Sequence, residues 1–589
     1  MASRSLGNEN TLVPIALAIV TLVLYAWRLA YSPIHVHYDE IFFGLQAHAI
    51  HTTGRDLNGR WWPVYFQLEN TFNWYQPMAV YWSAAVLSII PLSDAAIRIP
   101  AVLVAVANVV LMFFVAKQLT KSVGWGLIAA VLLMLTPAHF IHSRLAMDYV
   151  YPLPFILAWL LLTLQYLDRP SSKTLALSSF CLGLGFFSYI AGTALMPMYL
   201  LATLAMVLWR RQPMSHAGMV IAGFAVPVIA AALFISVHPG TVTDLLQKYG
   251  YGAAASTTGL DPLQRIREAV NERTVSDALN HYWRFFSPGY LFVTGGANLT
   301  NSTRAAGVFL WPIAIPLVVG LVSSLRQGGT VNALLWFGLL TAPIPATLMP
   351  EDYTVDRELA LLPFAILLVT QGVRAMWDQP LTRKVGQLTR PIAAIAAAIA
   401  IGYAVLTLAQ RGQMSSSAPL LLLAAAAVGA IGIALDRAAS WRPVAAMTLV
   451  LIPLFFTPFL IDYFDGYRLR AAEWFGGNIR GAMEELVRLD RESPATEIRL
   501  STDVPYVRSY WRFYLTMWDR GDLLARTKEF DARSLGSIDL PANSYLLSGA
   551  TDAATAALVD RRTIARVGGA GDVPGGPEQF TIYRVASRP

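Results

Sequence analysis

Residues 97–119 read IRIPAVLVAVANVVLMFFVAKQL, an apolar run with a basic residue near each end. A helix that crosses a bilayer needs about 20 predominantly apolar residues, and this run is long enough. Similar runs recur along the chain, in which 55% of the 589 residues are hydrophobic and 14% are charged. The sequence therefore predicts an integral membrane protein that is mainly α-helical.

Length and apolar character together predict thirteen membrane spans. They are residues 11–30, 96–117, 124–140, 150–167, 174–190, 191–209, 217–237, 305–325, 331–349, 358–373, 391–409, 418–435 and 443–461. The apolar core of the first span is too long for a secretory signal and no small-residue cleavage site follows it, so we predict an uncleaved anchor. Residues 78–92 are apolar but short, and Tyr81 and Trp82 suit the headgroup level, so we predict a re-entrant or interfacial helix there.

The basic residues predict the orientation of the chain. With the N-terminus in the cytoplasm, most lysines and arginines of the short loops fall on the inner side, as the positive-inside rule requires. The short outer loops hold only Arg144, Arg357 and Arg411. Topology therefore explains the formal net charge of +7, and we expect no nucleic-acid partner. We predict a protein of the plasma membrane, the inner membrane of a bacterium, whose first partner is the lipid bilayer.

This orientation divides the chain into two predicted domains. Residues 1–461 form a transmembrane domain whose large external loops are residues 31–95 and 238–304. Residues 462–589 form an external α/β domain, because short strand patterns such as TEIRLSTDVP and QFTIYRVA alternate there with helical ones. The predicted fold class is a polytopic bundle of about 13 transmembrane helices with a small external α/β domain.

Two carboxylates, Asp39 and Glu40, follow the first span in the stretch HVHYDEIFFG, residues 35–44. A carboxylate at the membrane surface is ordinarily solvated, but burial beside lipid would raise its pKa and make it a general base. The sequence leaves both alternatives open. A phosphate-binding loop of the GxxxxGK[ST] type is absent from the sequence, so an ATP-driven pump is not expected. The single cysteine, Cys181, excludes an intramolecular disulfide and a cysteine-based zinc site.

Three segments after the acidic pair carry a resemblance to a known family. They are QPMAVYWSAAVLSII (residues 76–90), the apolar run at residues 97–119, and TPAHFIHSRLAMDYVYPLPFILAWLLL (residues 136–162). With the acidic pair before them, the chain resembles the protein O-mannosyltransferase and aminoarabinose (lipid A) transferase group. These are membrane glycosyltransferases of the GT-C type, in glycosyltransferase family 39. The likeness covers roughly residues 11–375.

The resemblance implies an activity as well as a fold. It implies a polyprenyl-phosphate-linked sugar donor, an acceptor on the external side and inversion at the anomeric carbon of the sugar. It also implies that Asp39 is the catalytic base, with Glu40 beside it. The extra domain of the eukaryotic mannosyltransferases is not found, and the first loop is not close to that of the aminoarabinose enzyme. The donor sugar therefore stays open, and so does the acceptor, which is a glycolipid, a polysaccharide or a protein.

Transfer from a lipid phosphate needs one base for the acceptor and cations for the departing phosphate. Arg144, Arg304 and Arg357 are predicted at the outer membrane level, and an arginine guanidinium binds phosphate through two parallel hydrogen bonds. Each arginine alone is more often a snorkelling interface anchor. Because three of them converge on one face, we take them as candidate donor-phosphate-binding residues.

Three further residues of the first loop are candidates for substrate or metal binding. Glu69 lies where the resemblance places a metal-binding glutamate of the aminoarabinose transferases, and Trp74 and Tyr75 suit stacking on a sugar or lining a prenyl groove. Two histidine pairs have a spacing of three residues but lack a third ligand in register, His48 with His51 and His139 with His142. The sequence therefore requires no cofactor, and a divalent metal is compatible with it.

A transporter or flippase of a lipid-linked saccharide is the alternative function. Alternating-access transporters usually carry internal repeats, and their substrate groups lie near the bilayer midplane. In this chain the predicted spans are almost free of charge at mid-depth, and the polar residues concentrate in the external loops. This distribution favours chemistry at the membrane surface over passage through the membrane.

Overall fold

A computed structural model of the chain describes residues 2–68, 74–238, 272–347, 354–378, 441–531, 540–549, 564–571 and 578–585. The helices up to residue 238 are α1 (Ala2–Ala26), α2 (Tyr38–Thr53), α3 (Pro77–Leu87), α4 (Ile99–Thr120), α5 (Val123–Met134), α6 (Pro137–His142), α7 (Pro152–Asp168), α8 (Ser172–Gly185), α9 (Ile190–Trp209) and α10 (Met214–Val237). The later ones are Glu272–Arg284, Ala314–Gln327, Gly329–Thr341, Ile344–Thr347, Val355–Glu358, Leu361–Asp378, Arg442–Phe464, Gly466–Arg470, Ile479–Glu492 and Val507–Met517. The strands are β1 (Phe66–Gln67), β2 (Trp74–Tyr75), β3 (Ile498–Ser501), β4 (Thr527–Phe530), β5 (Tyr545–Gly549), β6 (Ile564–Gly571) and β7 (Glu578–Val585).

Apolar helices of membrane-crossing length confirm the predicted membrane character. Among the described residues, five helices are long and apolar enough to cross a bilayer: α4, α9, α10, Gly329–Thr347 and Arg442–Phe464. Five shorter apolar helices accompany them: Thr11–Ala26, α3, α5, α7 and Trp311–Gln327. The predicted spans at residues 391–409 and 418–435 lie outside the described residues. The total of thirteen spans therefore stays a prediction.

The span predicted at residues 124–140 is wrong in its boundaries, because two helices occupy this region. Helix α5 ends at Met134, and α6 begins at Pro137. Thr136 has the extended backbone dihedrals φ −86° and ψ 121°. The proline ring disfavours helical dihedrals at the residue before it, so the break occurs at Thr136. After this break, α6 leads directly into the segment that carries Arg144.

Helix α3 has 11 residues, and at 1.5 Å per residue it rises about 16 Å. The hydrocarbon core of a bilayer is about 30 Å thick, so α3 alone is too short to cross it as a helix. The hydroxyl of Tyr81 donates to the carbonyl of Pro63 at 2.8 Å, and the indole of Trp82 donates to the carbonyl of Pro100 at 3.1 Å. These bonds tie α3 to the first loop and to the start of α4.

Strands β3 to β7 form a mixed five-stranded sheet in the order β4-β3-β5-β7-β6. Strand β3 is parallel to β4 and β5, and β7 is antiparallel to β5 and β6. All four residues of β3 are buried, which is typical of a strand covered on both faces. The helices Ile479–Glu492 and Val507–Met517 contribute buried apolar residues to the same core as the sheet.

Helix α2 also belongs to this core, because Val36, Ile41 and Leu45 cluster with apolar residues of the sheet and its helices. Gly44 lies at the point of closest approach. A Cβ atom there would lie 3.0 Å from Cγ2 of Ile97 and 3.0 Å from Cε2 of Phe513, closer than ordinary van der Waals contact. The hydroxyl of Tyr510 donates to the carbonyl of Val36 at 2.9 Å. The C-terminal sheet is thus packed against helix α2.

A buried ion pair fixes the other side of α2. Glu40 and Arg98 have side chains that are 0% and 1% exposed, and Arg98 Nε lies 2.7 Å from Glu40 Oε1. The Nη2 atom of Arg98 donates to Glu40 Oε2 at 2.9 Å, which makes the pair bidentate. The remaining donors of Arg98 bind the carbonyls of Leu29, Pro33 and His35. One guanidinium therefore joins α2, the start of α4 and the connection that follows α1.

We predict that Glu40→Gln destabilises the folded chain. The substitution leaves the Arg98 guanidinium in a buried site without its counter-charge, and loss of one partner of a buried ion pair costs about 3 to 5 kcal/mol. Thermal unfolding of the purified chain in detergent, followed by tryptophan fluorescence, measures the difference. The control is Arg488→Ala, which breaks ion pairs on the exposed face of a C-terminal helix and should leave the midpoint unchanged. An unchanged midpoint for Glu40→Gln would show that the pair does not hold this junction.

Candidate active site

The acidic pair forms the first turn of helix α2. His37 is the N-cap residue, and its Nδ1 atom accepts a hydrogen bond from the backbone N–H of Asp39 at 3.2 Å. Oε2 of Glu40 accepts one from the backbone N–H of His37 at 3.0 Å, which completes a capping box. Negative charge at this end of a helix is stabilised by the helix dipole. The sequence His-Tyr-Asp-Glu thus forms a capped helix N-terminus that carries two carboxylates.

The Asp39 carboxylate is part-exposed, with a side-chain exposure of 17%. The hydroxyl of Tyr75 donates to its Oδ1 atom at 2.8 Å. Its Oδ2 atom lies 3.6 Å from Nδ1 of His37. Burial, and then the charge of Asp39 and the hydrogen bond to it, raise the pKa of the Tyr75 hydroxyl, so this hydroxyl stays protonated as a donor. The Asp39 carboxylate is therefore held by a hydrogen bond and is still accessible from solvent.

His37 is neutral at this site. Burial lowers the pKa of its imidazole, although the charges of Asp39 and then Glu40 act in the opposite direction. The Nδ1 atom accepts the Asp39 N–H, so it carries no proton in this arrangement. The ring packs on Tyr38 with centroids 4.1 Å apart.

Glu40 is placed very differently from its neighbour. Its two oxygens accept from Arg98, from the backbone N–H of Ala146 at 2.8 Å and from that of His37. Burial alone would raise the pKa of Glu40, but the charge and hydrogen bonds of Arg98 and the two N–H groups bring it below the ordinary value. Both oxygens of the Glu40 carboxylate already accept hydrogen bonds from these partners. The geometry therefore favours a positioning role for Glu40 over the direct catalytic role expected from the sequence.

A second group of polar residues, which we call the polar cluster, consists of Tyr149, Tyr189, Asn301, Asp356 and Arg357. Tyr189 donates to Asp356 Oδ2 at 2.7 Å, Asn301 donates to Asp356 Oδ1 at 2.9 Å, and Nε of Arg357 lies 3.6 Å from Asp356 Oδ2. The rings of Tyr149 and Tyr189 are 5.4 Å apart. Segments far apart in sequence, near residues 149, 189, 301 and 356, thus meet in one place.

Tyr149 connects the polar cluster with Asp39. Its pKa is raised by burial and then by the negative charges of Asp356 and Asp39, so both carboxylates lie within electrostatic reach of one hydroxyl. His142 packs against Tyr149 with ring centroids 5.7 Å apart. Nε2 of His142 and Oδ1 of Asn301 are buried without a hydrogen-bond partner among the described residues. A buried polar atom without a partner calls for an explanation, such as a bound water, ion or ligand, so this region can receive a polar group.

The three arginines predicted to bind phosphate lie in three different environments. Arg144 is fully buried and donates to the carbonyls of Tyr25, Trp27, Arg28 and Ser32. These carbonyls belong to the end of α1 and the residues after it, where a helix has unsatisfied acceptors. In this structure Arg144 holds the end of the first helix, so a positioning role is favoured over phosphate binding.

Arg304 is exposed and lies over the ring of Trp474, 5.8 Å from its centroid. Its Nε atom donates to the carbonyl of Ala297 at 2.7 Å. Arg357 has a side-chain exposure of 16% and lies within the polar cluster. Of the three predicted arginines, Arg357 is the one linked to Asp39, through Asp356 and Tyr149.

The first-loop candidates separate in the structure. Glu69 lies outside the described residues. Trp74 and Tyr75 follow each other in strand β2, and successive strand residues point to opposite faces. Tyr75 reaches Asp39, whereas Trp74 packs on Phe234 with ring centroids 6.0 Å apart. Trp74 is therefore part of an aromatic cluster on the other side of the strand.

A metal site does not emerge from the part of the chain that the structure describes, where no group of three histidine, cysteine or acidic side chains could hold an ion. His139 binds the hydroxyl of Tyr25 through Nδ1 at 2.8 Å, and His142 binds the carbonyl of Ala138 through Nδ1 at 2.7 Å. The expected compatibility with a divalent metal stays a prediction.

Sequence reasoning missed Arg98, Asp356 and Asn301 as members of the site. Arg98 lies within the span predicted at residues 96–117 and was given no role, although an arginine beside a mainly apolar helix of 22 residues requires a partner. Asp356 directly precedes Arg357, and this adjacency was an available signal. Asn301 belongs to an NST tripeptide, which carries no weight by itself, so sequence alone offered no signal for it.

The fold and the site together define a class: a polytopic helical membrane protein with an acidic pair at the start of helix α2 and a sheet packed against that helix. A family model described as dolichyl-phosphate-mannose-protein mannosyltransferase matches residues 75–232. This stretch begins at Tyr75 and contains Arg98, Arg144 and Tyr149. None of the curated proteins matches the chain.

Crystal structures of ArnT share this fold. ArnT from Cupriavidus metallidurans, bound to undecaprenyl phosphate, aligns over 98% of this chain and 98% of that chain, with a TM-score of 0.54 and 11% identity. The apo crystal structure of ArnT aligns over 99% of this chain and 98% of that chain with the same score and identity. The archaeal oligosaccharyltransferase AglB from Archaeoglobus fulgidus aligns over 74% of this chain and 56% of that chain, with a TM-score of 0.40 and 12% identity. The likeness to ArnT confirms the GT-C type of membrane fold expected from the sequence.

We predict that Arg144→Lys destabilises the chain while Arg304→Lys does not. A lysine ammonium cannot reach the four carbonyls that Arg144 binds, and each buried acceptor left unpaired costs about 1 to 3 kcal/mol. Arg304 is exposed, so its replacement should leave the thermal midpoint unchanged. Thermal unfolding of both variants in detergent measures the contrast. Equal stability of Arg144→Lys and the wild type would argue against its role at the end of α1.

Proposed function

We propose that the chain is an inverting glycosyltransferase that moves a sugar from a polyprenyl-phosphate donor to an acceptor on the external side of the membrane. Asp39 is the general base. The observation that carries the proposal is the position of Asp39: a part-exposed carboxylate, held by Tyr75, in a protein with a GT-C type of membrane fold. Fold alone does not define an activity, so the proposal depends on this site.

Asp39 acts at the start of the proposed reaction. The carboxylate takes the proton from an acceptor hydroxyl, and the acceptor oxygen attacks the anomeric carbon of the donor sugar. The bond between that carbon and the phosphate oxygen breaks, and the electron pair leaves with the polyprenyl phosphate. Attack opposite to the leaving group inverts the configuration. The donor already carries its leaving group, so one base and a cationic environment for phosphate are sufficient.

The polar cluster is the proposed place of the donor headgroup. It offers the Arg357 guanidinium, the hydroxyls of Tyr149 and Tyr189, and the unpaired buried atoms of His142 and Asn301. Arg357 is the proposed phosphate-binding residue, and Arg304 is a second candidate from the exposed side. Glu69 and Trp74 are not given a role in the mechanism. Which sugar and which acceptor react is left to the experiment below.

We predict that Asp39→Asn lowers transfer by more than about 100-fold, because loss of a general base typically costs 10² to 10⁴ in rate. The assay uses the full chain in lipid nanodiscs with radiolabelled polyprenyl-phosphate sugars and membrane extract as acceptor. Tyr75→Phe should lower kcat by a smaller factor, since it removes one hydrogen bond to the base.

The controls separate chemistry from folding. Asp39→Asn and Tyr75→Phe should unfold at the wild-type temperature, unlike Glu40→Gln. If Asp39→Asn transfers sugar as fast as the wild type, the catalytic assignment is wrong. If the wild type consumes no donor but moves it between leaflets, the alternative function of a transporter or flippase is correct.

We predict that transfer is lost at acidic pH when His37 gains a proton. Burial lowers the pKa of His37, so the neutral form persists through the ordinary histidine range and is lost only as the pH falls below it. The protonated ring cannot accept the Asp39 N–H, and it would pair with the Asp39 carboxylate 3.6 Å away. His37→Asn keeps a side chain that caps helices and does not titrate.

The measurement is kcat/KM from about pH 8 down to about pH 4, which extends below the ordinary histidine range. The wild type should lose activity toward the acidic end of this range. The His37→Asn variant should retain its activity further toward acid pH. Superimposable profiles would show that His37 does not control the base.

A further inference from the structure

A cleft of about 170 Å³ opens between the start of helix α2 and the C-terminal sheet. The residues that line it are Tyr38, Gly476, Ile479, Asp503, Val504, Pro505, Tyr506, Tyr510, Gly549 and Phe580. We call it the tyrosine cleft. Pockets that take drug-sized ligands have volumes of roughly 300 to 1,000 Å³, so this cleft has room for a single ring.

Two tyrosine rings of the cleft are stacked. Tyr38 and Tyr506 are nearly parallel, with an angle of 11° between them and centroids 4.2 Å apart. Tyr506 is 42% exposed, so a face of this pair is available to a ligand. The third ring, Tyr510, is anchored by the bond of its hydroxyl to the carbonyl of Val36. Such an aromatic platform suits the C–H face of a sugar ring, which is apolar.

Tyr506 adopts a strained backbone conformation. Its φ is 56°, in the left-handed region that a bulky residue rarely occupies. Strain of this kind is retained where the surrounding structure requires a particular side chain in a particular place. Here the conformation brings the ring of Tyr506 onto that of Tyr38.

The charged side chains of the cleft indicate which class of ligand it can bind. Among the described residues that line it, Asp503 is the only ionisable side chain apart from the tyrosines, and none is basic. An anionic phosphate group would therefore find no counter-charge in the cleft, whereas a hydroxyl group can donate to Asp503. The chemistry fits a neutral, hydroxyl-bearing ring.

The cleft is continuous with Asp39. Tyr38 directly precedes Asp39 in the first turn of α2, and the charge of Asp39 acts on the hydroxyls of both Tyr506 and Tyr510. Asp39 also acts on Tyr149 of the polar cluster. The carboxylate thus lies within electrostatic reach of both the tyrosine cleft and the polar cluster.

We propose that the tyrosine cleft binds a neutral pyranose ring of the acceptor and presents the hydroxyl of that acceptor to Asp39. This inference rests on the proposed function, and it narrows the acceptor to a saccharide, whether free in a polysaccharide or as the headgroup of a glycolipid. The donor enters from the polar cluster, and the acceptor from the cleft. The C-terminal sheet accordingly takes part in acceptor binding.

The test compares two substitutions at one position. Tyr506→Asn removes the ring, and asparagine tolerates the left-handed conformation. Tyr506→Phe keeps the ring. Leu524→Ala, an exposed change in the same part of the chain, is the control. Each full-length variant is placed in lipid nanodiscs, and saturation-transfer NMR measures the binding of methyl glucoside, methyl galactoside, methyl mannoside and methyl N-acetylglucosaminide.

We expect at least one pyranoside to bind the wild type, and Tyr506→Asn to weaken its binding by about fivefold or more, since one stacked ring is lost. Tyr506→Phe and Leu524→Ala should bind it as the wild type does. No pyranoside binding to the wild type, or equal binding by Tyr506→Asn, would overturn the inference. The inference would also be overturned if a serine-containing peptide bound instead of the pyranosides and Tyr506→Asn abolished that binding.

The transfer assay distinguishes this inference from the proposed function. If the wild type consumes donor and Tyr506→Asn raises the KM for acceptor far more than it lowers kcat, both stand. If donor is consumed and the acceptor KM of Tyr506→Asn stays within about twofold of the wild-type value, the cleft assignment fails alone. If the wild type consumes no donor while pyranosides still bind, the proposed function fails and the cleft remains a saccharide site.

Discussion

Glu40 and Arg98 form an ion pair whose two side chains are almost completely withdrawn from solvent. Removing two charges from water is unfavourable unless each remaining donor and acceptor finds a partner. Here the guanidinium binds three backbone carbonyls besides Glu40, and Glu40 binds two backbone N–H groups besides Arg98. The pair therefore works as a junction of the chain after α1, helix α2, the start of α4 and the segment around Ala146. The orientation of α2, and with it the direction of Asp39, depends on this junction.

The two neighbouring carboxylates take different roles because they are neighbours on a helix. Successive residues of an α-helix point about 100° apart, so when one member of the pair faces the protein interior the other points in a different direction. Glu40 is fully buried, and Asp39 is part-exposed. A base needs access to its substrate and a firm position. The buried neighbour supplies the position, and Tyr75 restricts the remaining freedom of the base.

Sequence reasoning predicted those parts of the fold that depend on local pattern. Apolar length gave the membrane helices, and strand patterns at TEIRLSTDVP and QFTIYRVA coincide with β3 and β7. Two of the candidate residues, Asp39 and Tyr75, contact each other, but Arg144 and Trp74 contact other parts of the chain. Their partners, the carbonyls after α1 and the ring of Phe234, are distant in sequence. Such long-range contacts leave no periodic trace in a single sequence, and neither does the meeting of Tyr189, Asn301 and Asp356.

The shared apolar core of α2 and the C-terminal sheet has a consequence for how this protein can change in evolution or by engineering. The core that contains Phe513 and Tyr510 also contains Val36, Ile41 and Leu45, and Gly44 has no room for a Cβ atom beside Phe513. The sheet is therefore no independent module. A chimaera that borrows the C-terminal part of a relative must borrow α2 with it, because both halves of this interface are needed to fill the core. New acceptor preferences in such proteins should arise through coordinated replacement of both pieces, with the base carried along on α2.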